Sequence, residues 1–141
     1  MRSPEWYRIF NSRDDEIRYA KGTVAGKEGV MVFPDGYSHP AGVSALASLN
    51  TPGAAFTSNQ YSAADWFLME AAGAIFLPAA GVRNITSVVM ARGDLGMYGN
   101  YWAANTGSLG AAYEAYFDAS QVNFSYTAKK FFGYAVRLVR N

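Results

Sequence analysis

The length, composition and charge of the chain exclude several classes of protein. Its 141 residues suit one domain, 1–141, and a content of 50% hydrophobic and 16% aromatic residues argues against disorder. A net charge of +1 without a long basic run argues against nucleic-acid binding, and the absence of cysteine removes disulfides, thiolate metal sites and cysteine nucleophiles.

Hydrophobic stretches along the chain are short. None approaches the ~18 consecutive apolar residues of a membrane span. The first residues, Met-Arg-Ser-Pro-Glu, lack the apolar run that follows the basic residue of a signal peptide. We therefore expect neither a membrane span nor a signal peptide in this chain.

The N-terminal residues predict a helix. Ser3 is the expected capping hydroxyl, followed by proline at the first helical position and an acid in the first turn. Trp6, Ile9 and Phe10 follow at helical spacing and should face the core. The helix is expected to end near residues 11–13.

Residues 17–60 predict a hairpin followed by a long loop. Two β-like runs, 17–24 and 30–33, flank a hairpin-like turn at 25–29. Pro-Asp-Gly at 34–36 is a tight-turn sequence. Residues 37–60 are rich in Ser, Gly, Ala, Pro and Asn, which indicates a long loop that covers a core or serves function.

A second helix is predicted from residue 62 onward. Ser62 can cap it and Asp65 stands at the reciprocal capping-box position. Gly73 is a suitable C-terminal stop. Residues 74–77 then form a short candidate strand, and 78–94 are expected to be irregular.

The last third predicts an antiparallel sheet. Its strands are expected at residues 100–103, 112–118, 121–125 and 134–139. With two helices early and a sheet late, the chain is assigned to the α+β class.

Alternation in the 112–118 strand predicts which side chains are buried. Side chains of a strand point to its two faces in turn. Tyr113, Ala115 and Phe117 are expected in the core. The opposite face, expected in solvent, comprises Ala112, Glu114, Tyr116 and Asp118.

Catalytic and metal-binding patterns are poor. The lone His39 is expected to be a surface or loop-packing residue, since no G-x-S-x-G nucleophile motif accompanies it. Asp65 and Glu70 suit capping and exposure better than acid/base catalysis, and the acidic run at 14–16 suits a solvated turn better than a cation site. Residues 93–96 lack the strand-to-helix context of a phosphate loop. We expect no enzymatic activity, no metal and no cofactor.

Phe131 and Phe132 are large apolar residues that the strand alternation does not place in the core. Exposed together, they would indicate a binding surface. The alternative is that both rings pack under the long loop. The sequence leaves these two interpretations open.

Three C-terminal segments match a known pattern: Tyr-Trp-Ala-Ala at 101–104, Ala-Tyr-Glu-Ala-Tyr-Phe at 112–117 and Gly-Tyr-Ala-Val-Arg-Leu-Val at 133–139. Residues 5–10, 63–66 and 77–84 extend the match over nearly the whole chain. The pattern resembles the C-type-lectin-fold variable proteins of diversity-generating retroelements from gut bacteria and their phages. It is also similar to the related Fibrobacter succinogenes major paralogous domain group.

The resemblance implies a C-type-lectin fold with fixed scaffold residues and diversified ligand-binding residues. Adenine-directed variation of asparagine codons cannot produce Glu, Gln or Lys, so Glu114, Gln121, Lys129 and Lys130 are expected to be fixed. The expected ligand-binding residues are Asn105, Ser108, Leu109, Ala111, Tyr116, Asp118, Ser120, Asn123, Ser125, Tyr126, Thr127, Phe131 and Phe132.

Several departures restrict what the resemblance implies. Ala103 and Ala104 replace the usual serines, and the calcium-dependent sugar-binding motif of C-type lectins is absent. The related formylglycine-generating enzymes need cysteines, which this chain lacks. The expected function is a display domain for a protein or glycan ligand, with an adhesive module of fixed sequence as the alternative. Either would belong to a larger protein at a cell surface or on a phage particle. Ligand identity and oligomeric state stay open.

Overall fold

The computed structural model describes residues 1–12, 18–82 and 96–136, which form an α+β fold with two helices and two small β-sheets. The predicted class is therefore confirmed. The elements in chain order are α1 (Ser3–Tyr7), a π-helical turn (Arg8–Ser12), β1 (Tyr19–Val24), β2 (Lys27–Val32), a 3-10 turn (Phe56–Ser58), β3 (Gln60–Tyr61), α2 (Ala63–Ala71), β4 (Ile75–Pro78), β5 (Tyr98–Thr106), β6 (Ala111–Asp118) and β7 (Val122–Lys129).

The first sheet has the strand order β3-β1-β2-β4 and is built on the β1–β2 hairpin. Its loop is only Ala25-Gly26, and both residues have positive φ, at 48° and 73°. Two-residue hairpin loops favour such backbone because it matches the twist of the strands. The predicted turn at 25–29 was too long, since Lys27 already pairs with Val24.

The second sheet has the order β5-β6-β7, all antiparallel. The strand predicted at 112–118 is confirmed to within one residue, whereas β5 and β7 extend beyond the predicted 100–103 and 121–125. Of the strand predicted at 134–139, Ala135 bridges Tyr101 in parallel, and residues 137–139 lie outside the described residues.

Strand β7 contains a bulge opposite β6. Tyr116 pairs with Asn123 and Glu114 pairs with Tyr126, so two steps along β6 correspond to three along β7. Such an extra residue interrupts the alternation of faces. Consequently Phe124 is buried although Tyr126, two residues later, is exposed.

Helix α1 begins differently from the prediction. Arg2, not Ser3, is the residue that precedes the first turn. Ser3 lies inside the helix, where its hydroxyl donates to the Phe124 carbonyl at 2.9 Å and its N–H donates to Asn105 Oδ1 at 2.6 Å. These contacts join α1 to the second sheet, while the Glu5 carboxylate caps the first turn by accepting from the Arg2 N–H. As predicted, Trp6 and Phe10 are buried.

A core of aromatic rings lies between the two sheets and under α1. Phe10 stacks on Phe124 at 4.2 Å, and Tyr101 stacks on Phe117 at 6.1 Å between ring centroids. Gly99 pairs with Phe117 across the strands, and a Cβ atom on Gly99 would collide with the Phe117 ring. Only glycine allows the ring to lie across β5 at this point.

The opposite face of the first sheet packs against α2 and the long loop. Ser62 caps α2 by accepting from the Asp65 N–H at 3.1 Å, while Asp65 accepts from the Ser62 N–H at 2.9 Å, which confirms the predicted capping box. Met69 from α2 and Val43 from the loop are both buried in this second core.

Buried Asn59 attaches the loop to β1. Its amide nitrogen donates to the carbonyls of Lys21 and Ala47, both at 2.8 Å, and its Oδ1 accepts from the Ala47 N–H at 2.7 Å. Every polar atom of this side chain therefore has a partner, which is what a buried amide requires. The prediction that residues 37–60 have little regular structure is confirmed, and of the two roles expected for such a loop the structure shows that it covers a core.

Lys21 is fully buried between the sheets. Its Nζ donates to the carbonyls of Pro52, in the loop, and Asp118, at the end of β6. Its Nζ also lies 5.7 Å from the centre of the Phe56 ring. Burial lowers the pKa of Lys21 to about 8, an effect that the nearby Asp118 charge partly opposes. The side chain thus joins both sheets through neutral acceptors.

We expect Gly99→Ala to destabilise the fold by about 1–3 kcal/mol, because the added methyl group collides with Phe117. Urea unfolding measures the loss. Gly53→Ala is the matched control, since its Cβ would meet only the Ser120 carbonyl at an ordinary 3.6 Å. Equal stability of the two variants would contradict this account of the core.

Lys21→Met should remove a pH dependence of stability. Because the pKa of Lys21 is about 8 in the folded chain, against 10.5 ordinarily, the unfolded chain binds this proton more tightly. The unfolding free energy of the parent protein should therefore rise from about pH 8 to pH 10. Urea unfolding across this range should show that rise in the parent and in the exposed-site control Lys27→Met, but not in Lys21→Met.

Candidate functional site

The second sheet has one face against the core and one face, here called the outer face, directed away from α1. Cross-strand pairing places Trp102 beside Glu114 and Glu114 beside Tyr126, while Asn100 pairs with Tyr116. Tyr98, at the start of β5, has the same strand parity as Asn100 and Trp102. The outer face is defined by Tyr98, Asn100, Trp102, Glu114, Tyr116 and Tyr126.

Aromatic rings on this face form two groups. The tyrosine group contains Tyr98, Tyr116 and Tyr126, with centroid distances of 6.1 Å from Tyr98 to Tyr116 and 5.6 Å from Tyr116 to Tyr126. Tyr126 is 42% exposed. Because Glu114 pairs with Tyr126 on one side and with Trp102 on the other, it separates this group from the second.

The second group is the tryptophan group: Trp102, Tyr134, Phe132 and Phe131. The distance between ring centroids is 4.4 Å from Trp102 to Tyr134 and 4.8 Å from Phe132 to Phe131. The Tyr134 and Phe132 rings are parallel, with centroids 5.8 Å apart. Phe131 is 49% exposed and Phe132 is half-buried. Of the two interpretations left open for these phenylalanines, the structure supports exposure beside other rings.

Glu114 corrects the prediction that its whole face lies in solvent. The residue is only 5% exposed, and its Oε2 accepts from Asn100 Nδ2 at 2.8 Å and its carboxylate from the Tyr134 hydroxyl. Burial raises the pKa of Glu114, although both hydrogen bonds act in the opposite direction. The neighbouring side chains from β5 and the C-terminal segment close over the carboxylate, which alternation within one strand does not reveal.

Asp118 accepts a set of hydrogen bonds at the β6–β7 turn. Its Oδ2 accepts from the Tyr116 hydroxyl at 2.6 Å, and its Oδ1 accepts from the Ser120 N–H and hydroxyl, both at 2.7 Å. Burial alone would raise the pKa of Asp118, but the hydrogen bonds from Tyr116, Ser120 and Gln121 hold it well below its ordinary value. Asp118 is therefore ionised and fixes the turn.

None of the predicted ligand-binding residues is buried. Exposed members are Ser108, Leu109, Ser120, Ser125, Tyr126, Thr127, Phe131, and half-buried members are Asn105, Ala111, Tyr116, Asp118, Asn123 and Phe132. They do not form one patch, because the β5–β6 and β6–β7 turns lie at opposite ends of β6. The structure brings together Tyr116 with Tyr126 and Phe131 with Phe132.

Three predicted residues use their side chains to hold the backbone. Asn105 accepts from the Ser3 N–H, Asp118 fixes the β6–β7 turn, and Asn123 Oδ1 accepts from the Ser125 N–H at 2.9 Å. Their participation in ligand binding and variation stays a prediction. In this structure their hydrogen-bonding atoms serve the fold.

Sequence reasoning missed the residues that connect the two ring groups. Tyr98, Trp102 and Tyr134 contribute rings, and Asn100 and Glu114 lie between them. Trp102 and Tyr134 lie in two of the segments that match the C-type-lectin-fold pattern, but neither was among the expected ligand-binding residues. The available signal was strand parity, since Tyr98, Asn100 and Trp102 pair with the outer-face residues of β6.

Residues considered for catalysis have structural roles. His39 Nε2 lies 2.9 Å from the Ser44 carbonyl, and its ring lies near Tyr37 and Tyr61, so it packs within the loop as predicted. Asp65 caps α2. The acidic run at 14–16, and Asp94 within 93–96, lie outside the described residues.

Residues 1–12, 18–82 and 96–136 lack two features, a metal-ligand cluster and a membrane-spanning helix. These ranges contain no group of three or more His, Cys, Asp or Glu side chains arranged to hold a metal ion. No helix among them has the length and apolar character needed to cross a bilayer.

A cleft of about 460 Å³ lies at the β1–β2 hairpin. Thr23, Lys27 and Glu28 supply its polar side chains, and Pro78 and Ala79 form part of its apolar wall. Ligand sites of such size ordinarily combine apolar walls with converging polar groups. Lys27 is exposed, and none of these side chains makes a described hydrogen bond across the cleft. The outer face is therefore the better candidate.

Comparison of the chain with protein families, with curated proteins and with solved structures gave no match.

Glu114→Gln should change the pH dependence of stability. Since burial raises the pKa of Glu114 above its ordinary 4.5, the folded chain binds this proton more tightly than the unfolded chain. Stability from this group is full below about pH 4.5 and is lost as pH rises through the raised pKa. As the pH rises from about 4.5 through the raised pKa of Glu114, the parent should therefore lose unfolding free energy that Glu114→Gln retains.

Urea unfolding at intervals between about pH 4.5 and pH 8 tests this expectation. Glu70→Gln, at an exposed position on α2, is the control for the replacement of a glutamate by glutamine. A Glu114→Gln curve that is also parallel to the parent would show that burial of Glu114 does not perturb its titration.

Proposed function

We propose that this chain is a non-enzymatic ligand-binding display domain with a C-type-lectin fold, and that the outer face and its adjoining turns bind a protein or glycan ligand. The observation that carries the proposal is the separation of aromatic residues on the second sheet. Phe117 and Phe124 are buried in the core, while Tyr126 and Phe131 remain about half exposed on the other side.

The energetics of the sheet support this use. Large exposed rings concentrate binding energy because they bury much area with few rotatable bonds. Three paired strands and the bridge from Ala135 to Tyr101 hold the rings in place before a ligand arrives. Little ordering entropy then opposes binding.

The structure separates residues that the fold requires from exposed residues that can be replaced, and this separation is compatible with diversification of the exposed residues. Inner rings determine the fold, whereas exposed side chains such as Ser125, Tyr126 and Thr127 can change without altering the core. We infer that the domain belongs to a larger protein at a cell surface or on a phage particle. A near-identical template repeat with adenine-only mismatches, beside a reverse-transcriptase gene, is the DNA observation that tests the retroelement origin.

A fixed-sequence adhesive module is the second candidate. The hydrogen bonds of Asn105 and Asp118 to backbone groups favour it, because replacement at these two positions would disturb α1 and the β6–β7 turn. A gene without a template repeat, in which both residues are invariant among strains, would support this candidate over diversification.

A binding screen against glycan and protein arrays tests the display surface. Tyr126→Ser and Phe131→Ser should each weaken binding of any captured ligand by about tenfold or more, since both remove exposed rings. Tyr7→Ser and Phe67→Ser are matched controls, because these rings are 54% and 70% exposed on α1 and α2. Ligands that bind all four folded variants equally would place the binding surface elsewhere.

A further inference from the structure

Three tyrosine hydroxyl groups on or beside the outer face, those of Tyr116, Tyr126 and Tyr134, donate their hydrogens to the protein. Tyr116 donates to Asp118 at 2.6 Å, Tyr134 donates to Glu114, and Tyr126 donates to Gln121 Oε1 at 3.3 Å. A hydroxyl has one hydrogen and two lone pairs. What these three hydroxyls can offer a ligand is therefore acceptor capacity.

Two further hydrogen-bond acceptors, the Glu114 carboxylate and the Asn100 Oδ1 atom, lie at the base of this face. Glu114 receives hydrogen bonds from Asn100 and Tyr134, and it sits between the tyrosine group and the tryptophan group. The Oδ1 atom of Asn100, a residue only 5% exposed, is buried without any hydrogen-bond partner. An unmatched buried acceptor costs free energy that a nearby donor or positive charge recovers.

The aromatic rings of the outer face also favour a positively charged ligand group. The faces of tyrosine and tryptophan rings are electron-rich and attract cations within about 6 Å of the ring centre. Tyr116 is in contact with Tyr98 and Tyr126, and Trp102 with Tyr134. Two acids, Glu114 and Asp118, hydrogen-bond to these rings' hydroxyl groups and make the potential above them more negative.

The basic side chains within residues 96–136 lie at one edge of the second sheet. Within residues 96–136 the lysines are Lys129 and Lys130, at the end of β7 and just beyond it. Lys129 Nζ lies 5.6 Å from the centre of the Phe131 ring, beside the tryptophan group. None of the residues that define the outer face is basic.

The geometry points to a cationic ligand group: the outer face, and its tyrosine group in particular, recognises an arginine or lysine side chain of a partner protein. This inference rests on the proposed display function and narrows its ligand class. Guanidinium and ammonium groups carry donors and no acceptor, which complements hydroxyls that have used their hydrogens. A neutral sugar ring presents acceptors as well as donors, and a phosphate would be repelled by both acids.

Titration with small probes tests the inference directly. N-acetyl-arginine amide is added to the full chain while the tyrosine ring signals are followed by NMR, and N-acetyl-citrulline amide serves as the neutral probe of equal length. We expect saturable shifts of the Tyr116 and Tyr126 signals with arginine and at least about fivefold weaker binding of citrulline. Methyl glucoside tests the neutral-sugar alternative.

Variants then assign the effect to the outer face. At a pH above the raised pKa of Glu114, Glu114→Gln should weaken arginine binding by about threefold or more through loss of charge. Tyr126→Ser should weaken it at least as much. Tyr7→Ser is the control for an exposed tyrosine elsewhere and should bind as the parent does. Circular dichroism confirms that each variant is folded before it is titrated.

Two results would overturn the inference. One is equal or tighter binding of citrulline amide or methyl glucoside; the other is arginine shifts that leave Tyr116 and Tyr126 unaffected. If arrays yield a ligand that depends on Tyr126 and Phe131 while arginine amide does not bind, the cationic ligand class is wrong and the display surface stands.

Discussion

Close packing of aromatic rings between the two sheets is the constraint on which the rest of the molecule depends. Phe117 lies against Gly99, where no side chain could be accommodated, and Phe10 stacks on Phe124. Because side chains alternate across a strand, a register that places these rings inside also determines which residues lie outside. The exposed tyrosines are thus positioned by contacts made on the opposite side of the same backbone.

Buried polar groups connect the elements around this packing. Lys21 joins the loop to β6 through two carbonyls, and Asn59 joins the loop to β1. Glu114 does the same for the second sheet, since it bonds to Asn100 on β5 and to Tyr134 in the C-terminal segment. Each group is removed from water and is compensated by hydrogen bonds. Each contact therefore joins two elements that are distant in sequence.

Sequence patterns predicted the elements that depend on contacts between residues close together in the chain. The α2 capping box depends on Ser62 and Asp65, three residues apart, and the strand at 112–118 follows from alternation. Contacts between distant residues decided the rest. Ser3 is drawn to Phe124 and Asn105 instead of capping α1. Glu114 is covered by Asn100 and Tyr134, and the candidate residues are divided between two ends of β6 because hairpin turns alternate in direction. None of these partners is adjacent in sequence.

The β7 bulge has a consequence for how the length of this chain can change. Phe124 and Tyr126 point in opposite directions although one residue separates them. Ser125 is the extra residue between them, and the hydrogen bond described for its side chain is to Asn123. Loss of Ser125 would leave phenylalanine and tyrosine as immediate neighbours, which a regular strand already directs to opposite sides. Homologues one residue shorter here could therefore keep the same interior and the same exterior.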